Sequence, residues 1–119
     1  MNKTKMLKKN YEFRRVLTKG KYYSGQYIEA FILKNSESYN KIGLAISVKI
    51  GKATIRNFIK RLIKENYKIL EEDILVGNSM VFLWKKKANT EEASFSNIEK
   101  DLKIIFKKAE IIEEGKEVV

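Results

Sequence analysis

Residues 51–68 read GKATIRNFIKRLIKENYK, and this stretch carries two residue patterns at helical spacing. A helix turns by about 100° per residue, so residues three or four positions apart lie on the same side. The apolar pattern consists of Ile55, Phe58, Ile59, Leu62 and Ile63. The cationic pattern consists of Lys52, Arg56, Lys60, Lys64 and Lys68. We therefore predict a helix over 51–70 that buries one side in a core and exposes a cationic side.

The cationic side has few acidic residues to neutralise it. Positions 49–68 hold seven basic residues and one acidic residue, Glu65. A helix face that is merely solvated usually mixes charges, because like charges four residues apart repel each other. The chain as a whole has a formal net charge of +10 over 119 residues. Both observations favour a polyanionic partner, with nucleic acid first and an anionic membrane surface second, while a solvated face is the alternative.

The composition also limits the chemistry of the chain. It contains no cysteine and no histidine, so it lacks thiol nucleophiles, zinc ribbons and the commonest general base. No apolar run approaches the length of a membrane span, and the basic first residues are not followed by the apolar segment of a secretory signal. We predict a single cytoplasmic domain over 1–119, with no membrane association.

The hydrophobic patterns outside the helix predict an α+β domain with the element order α-β-β-α-β-α and helices packed on a small sheet. The predicted helices cover 10–19, 51–70 and 90–112, and the predicted strands cover 22–33, 42–48 and 79–84. Residues 1–9 are rich in lysine and are interpreted as a flexible basic arm. Residues 113–119 are interpreted as a frayed tail. Trp84, late in a strand, is assigned to the core.

Three consecutive runs then resemble the signature of a known family. They are GLAIS at 43–47, KIGKA at 49–53 and RNFIKR at 56–61, and they resemble the bacterial ribonuclease P protein subunit. In that family, a strand leads through a lysine-rich turn into a helix bearing Arg-Asn-Arg followed closely by Lys-Arg. The resemblance covers about residues 7–110. The chain departs from the pattern at Phe58, where the family usually has arginine, at Val48, where it usually has lysine, and at Leu17, where many members have an aromatic residue.

The resemblance implies a fold and a function. The fold would contain a left-handed β-α-β crossover. The protein would be the accessory subunit of a ribonucleoprotein endonuclease in which a separate large RNA cleaves the 5′ leader from precursor tRNA. Its partners would be this catalytic RNA and precursor tRNA, with no DNA. The magnesium would be held mainly by the RNA, and the protein would not be catalytic alone.

The resemblance also implies two sets of site residues. The set for the RNA subunit is Lys49, Lys52, Arg56, Asn57, Lys60, Arg61, Lys64 and Lys68. The set for the leader, in a cleft between the first helix and the sheet, is Phe13, Arg14, Phe31 and Tyr27. Phe13 and Phe31 match family positions, whereas alternation along the strand leaves open whether Tyr27 or Tyr23 points outward. Core packing is the alternative for Phe13 and Phe31. The lysines at 85–87 either flank the RNA or solubilise the end of a strand.

Three other functions compete with this interpretation. A structural or ribosome-associated RNA-binding protein with no catalytic partner shares the charge, size and fold class, and only the motif at 43–61 separates the two. A DNA-recognition helix is disfavoured, because an apolar strand comes directly before the helix. A membrane-surface helix is disfavoured, because the domain core needs the apolar side of 51–70.

Overall fold

The cationic segment is helical in the computed structural model, which describes residues 1–113. Helix α2 covers Ala53–Leu70, and its buried residues are Ile59, Leu62, Ile63, Asn66, Tyr67 and Leu70. This confirms the predicted helix and the burial of Ile59, Leu62 and Ile63, whereas Ile55 is half-buried and Phe58 is exposed. The remaining elements are β1 (Thr4–Met6), α1 (Asn10–Lys19), β2 (Lys21–Ser24), β3 (Ile28–Lys34), β4 (Asn40–Leu44), β5 (Asn78–Trp84) and α3 (Phe95–Lys108).

The five strands form one mixed sheet in the order β1-β4-β5-β3-β2. Strands β1, β4 and β5 run parallel, whereas β3 is antiparallel to both of its neighbours. Because β4 and β5 are adjacent and parallel, α2 between them is the helix of a β-α-β unit. The α+β prediction is confirmed, with three α-helices and five strands among residues 1–113.

The two faces of the sheet carry different helices. Alternate residues of β3 point to opposite faces, so Ala30 and Ile32 pack into the core beneath α2 and α3, whereas Phe31 packs beneath α1. The larger core includes the fully buried side chains of Tyr67, Phe82 and Phe106. Trp84 is 3% exposed, which confirms its assignment to the core. No helix among residues 1–113 combines the length and the apolar composition needed to cross a membrane.

The single strand predicted over 22–33 is wrong, because this segment is a hairpin of β2 and β3. The carboxylate of Asp101 on α3 accepts backbone N–H groups from Gln26 at 2.9 Å, Tyr27 at 2.6 Å and Ile28 at 2.8 Å. These bonds hold the chain in a turn between the two strands. A Cβ atom at Gly25 would lie 2.4 Å from Cγ of Asp101, so glycine is needed where the chain passes the carboxylate.

The flexible arm predicted over 1–9 is also wrong. Residues 4–6 form β1, which pairs in parallel with 40–42 of β4. The carboxylate of Glu71, just after α2, accepts the N–H groups of Asn2 at 3.0 Å and Lys3 at 3.2 Å. The hydroxyls of Thr4 and Tyr67 are hydrogen-bonded at 2.7 Å. Of the predicted frayed tail, residues 114–119 lie outside the described residues, and the N–H of Glu113 donates to the carbonyl of Asp73 at 2.7 Å.

The docking of β1 is expected to weaken at acidic pH. Burial raises the pKa of Glu71, but hydrogen bonds from Thr4, Asn2 and Lys3 outweigh it and leave this pKa below the ordinary value of 4.5. A carboxyl group with a lowered folded-state pKa contributes stability above its unfolded pKa and loses it as the pH falls through the folded value. The N–H of Leu7 donates to the carbonyl of Ile42. We expect the amide-exchange protection of Leu7 to decrease as the pH falls through the lowered pKa of Glu71.

The matched variants are Glu71→Gln and Glu72→Gln, the second being an exposed neighbour. At pH 7, Glu71→Gln is expected to lower the protection of Leu7 by about tenfold, because a neutral amide replaces a charged acceptor. Glu72→Gln is expected to leave it unchanged. Wild type and Glu71→Gln should converge once the pH falls below the lowered folded-state pKa of Glu71, and a difference that persists after Glu71 is protonated would contradict the assignment to Glu71.

Candidate nucleic-acid interface

A groove of about 580 Å³ runs between the cationic side of α2 and the first turn of α1. Its lining residues are Met6, Leu7, Phe13, Leu44, Asn57, Lys60, Arg61, Lys64, Glu65 and Lys68. One wall is therefore polar and mainly cationic, and it comes from successive turns of α2. The opposite wall is apolar and comes from β1, β4 and α1. We call this feature the cationic groove.

The cations reach the groove because the opposite side of α2 is fixed in the core. Ile59 and Ile63 are fully buried there. The helical turn then places Lys60 and Lys64 at the rim of the groove, where both are half-buried. The one acidic residue in the lining, Glu65, lies 3.8 Å from Nε of Arg61, measured from Oε1. Four cations against one carboxylate give the groove a positive field that attracts phosphates.

The structure divides the predicted RNA-subunit set into two groups. Asn57, Lys60, Arg61, Lys64 and Lys68 line the cationic groove together. Lys49, Lys52 and Arg56 do not line it. Lys49 lies in the short helical turn of Val48–Ile50, and Lys52 is the residue before the first turn of α2.

Arg56 has a structural contact that the sequence does not indicate. Its Nε donates to the carbonyl of Gly51 at 3.1 Å, and its side chain is half-buried. Ser47 stabilises the same connection, since its hydroxyl accepts the N–H of Lys49 at 3.2 Å. Arg56 therefore fixes the entry into α2. Its replacement would disturb the helix start as well as any RNA contact.

Phe13 belongs both to the lining of the cationic groove and to the apolar cluster beneath α1 that includes Phe31. Its ring packs directly on β4 at Gly43, where a Cβ atom would lie 2.4 Å from Cε1 of the ring. The ring is half-buried, belongs to the cluster of Val16 and Val81, and lines the groove. The core interpretation and the contact interpretation of Phe13 are therefore compatible, because the same ring packs on the sheet and borders open space.

Phe31 lies in the same cluster beneath α1 but does not line the cationic groove. Its ring centroid is 5.3 Å from that of Tyr22, its cross-strand neighbour on β2. Tyr22 is 50% exposed, and its hydroxyl donates to Glu29 at 2.6 Å, which raises the pKa of Tyr22. The sequence pattern did not single out Tyr22 as a surface aromatic, although the register of a hairpin pairs it with Phe31. Arg14 is exposed on α1.

The structure separates Tyr27 from the other predicted leader residues, which corrects its placement in that set. The Tyr27 side chain is 7% exposed and stacks on Trp84, with ring centroids 5.5 Å apart. Its hydroxyl donates to Glu92 at 2.9 Å, and this bond is the main reason that the pKa of Tyr27 is raised. Alternation along a strand does not predict this orientation, because Tyr27 lies in the turn that Asp101 holds, before β3 begins at Ile28.

Helix α1 is fixed beside the groove by Glu12. Its carboxylate accepts the N–H groups of Lys8 at 3.2 Å and Lys9 at 3.1 Å, and it lies 3.6 Å from Nζ of Lys41 on β4. The bond from Lys9 is the largest influence on the pKa of Glu12, which is lowered. Among residues 1–113, no group of three or more acidic side chains is arranged to hold a metal ion.

Comparisons with known proteins agree on the family. The family model described as Ribonuclease P matches residues 1–110. The ribonuclease P protein component of Clostridioides difficile is 39% identical over 111 residues, covering 92% of this chain and 96% of the relative. That of Natranaerobius thermophilus is 31% identical over 115 residues, covering 97% and 98%.

The solved structures support the same assignment. The RNase P protein from Thermotoga maritima superposes with a TM-score of 0.79 at 26% identity, covering 87% of this chain and 96% of that one. This likeness agrees with the α+β fold that the resemblance implied. The chain therefore belongs to the ribonuclease P protein family, the protein components of a ribonucleoprotein endoribonuclease of tRNA processing.

Proposed function

We propose that this chain is the accessory subunit of ribonuclease P and that it binds two RNAs through adjoining surfaces. The cationic side of α2 binds the catalytic RNA. The aromatic surface, formed by Phe13 of α1, by Phe31 beneath α1 and by Tyr22 beside Phe31, binds the single-stranded 5′ leader of precursor tRNA. The observation that carries the proposal is the cationic groove, because Phe13 and the cations of α2 line the same groove.

The two surfaces are suited to different groups of RNA: the cationic surface to phosphates and the aromatic surface to unpaired bases. Lysine and arginine neutralise phosphates and release counterions, which gives affinity without regard to sequence. Aromatic rings stack on unpaired bases, and single strands expose such bases while duplexes do not. A protein with both surfaces side by side can hold a structured RNA and a single strand at the same time. This is what positioning a leader near the cleavage site of a catalytic RNA requires.

The cleavage chemistry is assigned to the RNA partner in this proposal. The chain has no histidine or cysteine to serve as general base or nucleophile. Magnesium keeps several waters and binds phosphate oxygens with few protein ligands, so we place it mainly on the RNA. The protein contributes binding and orientation, and we place the assembly in the cytoplasm. We also propose that the β-α-β crossover is left-handed. The lysines at 85–87 either flank the RNA or solubilise the end of β5.

Reconstitution tests the proposed function directly. The protein is mixed with a bacterial ribonuclease P RNA and a precursor tRNA at low magnesium concentration, where the RNA alone is slow. Faster cleavage at the mature 5′ end is expected. Tight, salt-dependent RNA binding without any stimulation would instead favour a structural RNA-binding protein. Cleavage by the protein without the RNA would contradict the accessory role.

The leader surface predicts a substrate-selective effect for Phe13→Leu. Leucine keeps an apolar contact on Gly43 but removes the ring that would stack on a base. The affinity of the reconstituted enzyme for leader-bearing precursor tRNA is expected to fall by about tenfold, with little change for mature tRNA. Leu17→Ala, in the same cluster but outside the groove, is the packing control and is expected to lower stability alone. Equal losses for both tRNAs would contradict a leader contact.

A further inference from the structure

Phe58 is an exposed aromatic residue on the border between the two sides of α2. Its side chain is 39% exposed, whereas its neighbour Ile59 is fully buried. The resemblance to the family places an arginine at this position, so the chain has exchanged a cation for a ring. The packing of α2 does not require a phenylalanine there, because much of the ring is left in contact with solvent.

The ring is connected to the cationic groove through Arg61. The guanidinium carbon of Arg61 lies 5.3 Å from the centroid of the Phe58 ring. Arg61 also lines the groove, and its side chain is 64% exposed. A cation over a ring at such an exposed site is held weakly, so another planar group can compete for the ring. Phe58 therefore lies directly beside the surface that the proposed function assigns to RNA.

The chemical surroundings of Phe58 favour an RNA base over an apolar protein surface. Protein interfaces concentrate apolar residues at their centre and are depleted of charge there. Phe58 instead has Arg61 over its ring, and the cations of the groove lie on the adjoining side of the same helix. Structured RNAs supply the complementary pair of groups, since their unpaired bases have planar π faces and each base is attached beside a phosphate.

We propose that Phe58 is a stacking platform for an unpaired base of the RNA, and that Arg61 binds the phosphate beside this base. This inference rests on the proposed function, in which α2 binds the catalytic RNA. It assigns to Phe58 a contact of a different kind from the charge contact that an arginine would make. The lost cation is replaced by base stacking, with Arg61 providing the nearest positive charge.

The variant Phe58→Trp allows the contact to be observed without an activity assay. The chain has one tryptophan, Trp84, and it is 3% exposed, so its fluorescence is a constant background. Titration with a bacterial ribonuclease P RNA is expected to quench the new tryptophan, since stacking on a base quenches its emission. Titration with a fully paired RNA duplex, which has phosphates but no unpaired bases along its length, is expected to leave the emission nearly unchanged.

Ile69→Trp is the matched control. Ile69 lies about three turns after Phe58 on the same side of α2 and is 63% exposed. Three residues after Ile69 the chain has Glu72, whereas three residues after Phe58 it has Arg61. No quenching is expected there. Equal quenching at 58 and 69, or equal quenching by the duplex, would overturn the proposal. A change in Phe58→Trp emission with protein concentration alone would overturn it in favour of a second copy of the chain.

Binding affinity separates stacking from charge. Phe58→Leu keeps an apolar side chain and is expected to bind the ribonuclease P RNA about tenfold more weakly, with an unchanged salt slope. Phe58→Trp is expected to bind as tightly as wild type. If wild type binds with a steep salt dependence and Phe58→Leu binds equally well, the stacking proposal fails while the proposed function stands. If wild type does not bind the RNA at all, both fail.

Discussion

Replacing Lys60 and Lys64 together with alanine is expected to weaken binding of a bacterial ribonuclease P RNA by about 100-fold. Both lysines line the cationic groove, and each is assigned one phosphate contact. Losing two such contacts should also reduce the slope of log affinity against log salt by about 1.4–1.8. Equilibrium binding at several salt concentrations measures both quantities. Folding should not suffer, because the change removes a like-charge repulsion between residues four positions apart.

The matched control for this variant is Lys100→Ala with Lys103→Ala on α3. This pair lies outside the cationic groove but removes the same two charges from the net charge of +10. It is expected to change the affinity by only a few-fold. An equal loss for the two double variants would mean that net charge, and not the groove, determines binding. Arg56 is a poorer choice for the test, because its bond to Gly51 ties it to the start of α2.

Replacing Asp101 with alanine is expected to lower the free energy of unfolding by about 3–5 kcal/mol. The Asp101 side chain is buried and accepts the N–H groups of Gln26, Tyr27 and Ile28. Without it, three donors at the β2–β3 turn lose a charged acceptor, and each buried donor left unpaired costs about 1–3 kcal/mol. This is a large share of the about 5–15 kcal/mol typical of a domain, so urea unfolding should show it clearly.

Two further variants make the Asp101 result specific. Glu99→Ala removes a half-buried carboxylate from the same helix, whose partner Lys103 lies at 3.7 Å, and is expected to change stability by less than about 1 kcal/mol. Gly25→Ala places a methyl group against the Asp101 carboxylate and should destabilise the same turn from the other side. Asp101→Ala and Glu99→Ala with equal stability would show that the three backbone bonds contribute little.

The parts of the fold that the sequence predicted are those set by local patterns. Helix α2 follows from apolar and cationic residues that recur at intervals of about one helical turn. Strand β5 and the core position of Trp84 follow from a short apolar run that ends in lysines. The family motif at 43–61 is local as well, because strand, turn and helix start are consecutive in the chain. Each of these features can be deduced without knowing which distant residues come into contact.

The features that the sequence missed depend on distant partners. Strand β1 has three residues, and its identity as a strand comes from pairing with 40–42 and from the carboxylate of Glu71. The β2–β3 turn depends on Asp101, more than 70 residues further along the chain. The apolar wall of the cationic groove was missed for the same reason, since Met6 and Leu7 reach it only once β1 has paired.

The attachment of β1 has a consequence for how the chain folds as it is synthesised. Asn2 is separated by 69 residues from Glu71, whose carboxylate receives its N–H. At translation rates of about 5–20 residues per second, Glu71 is added roughly 3–14 s after Asn2. During that interval the first strand emerges from the ribosome with no partner for these backbone groups. The bond from Asn2 to Glu71 can therefore form only after α2 has been made, whereas the partner residues of β1 at 40–42 are made before α2.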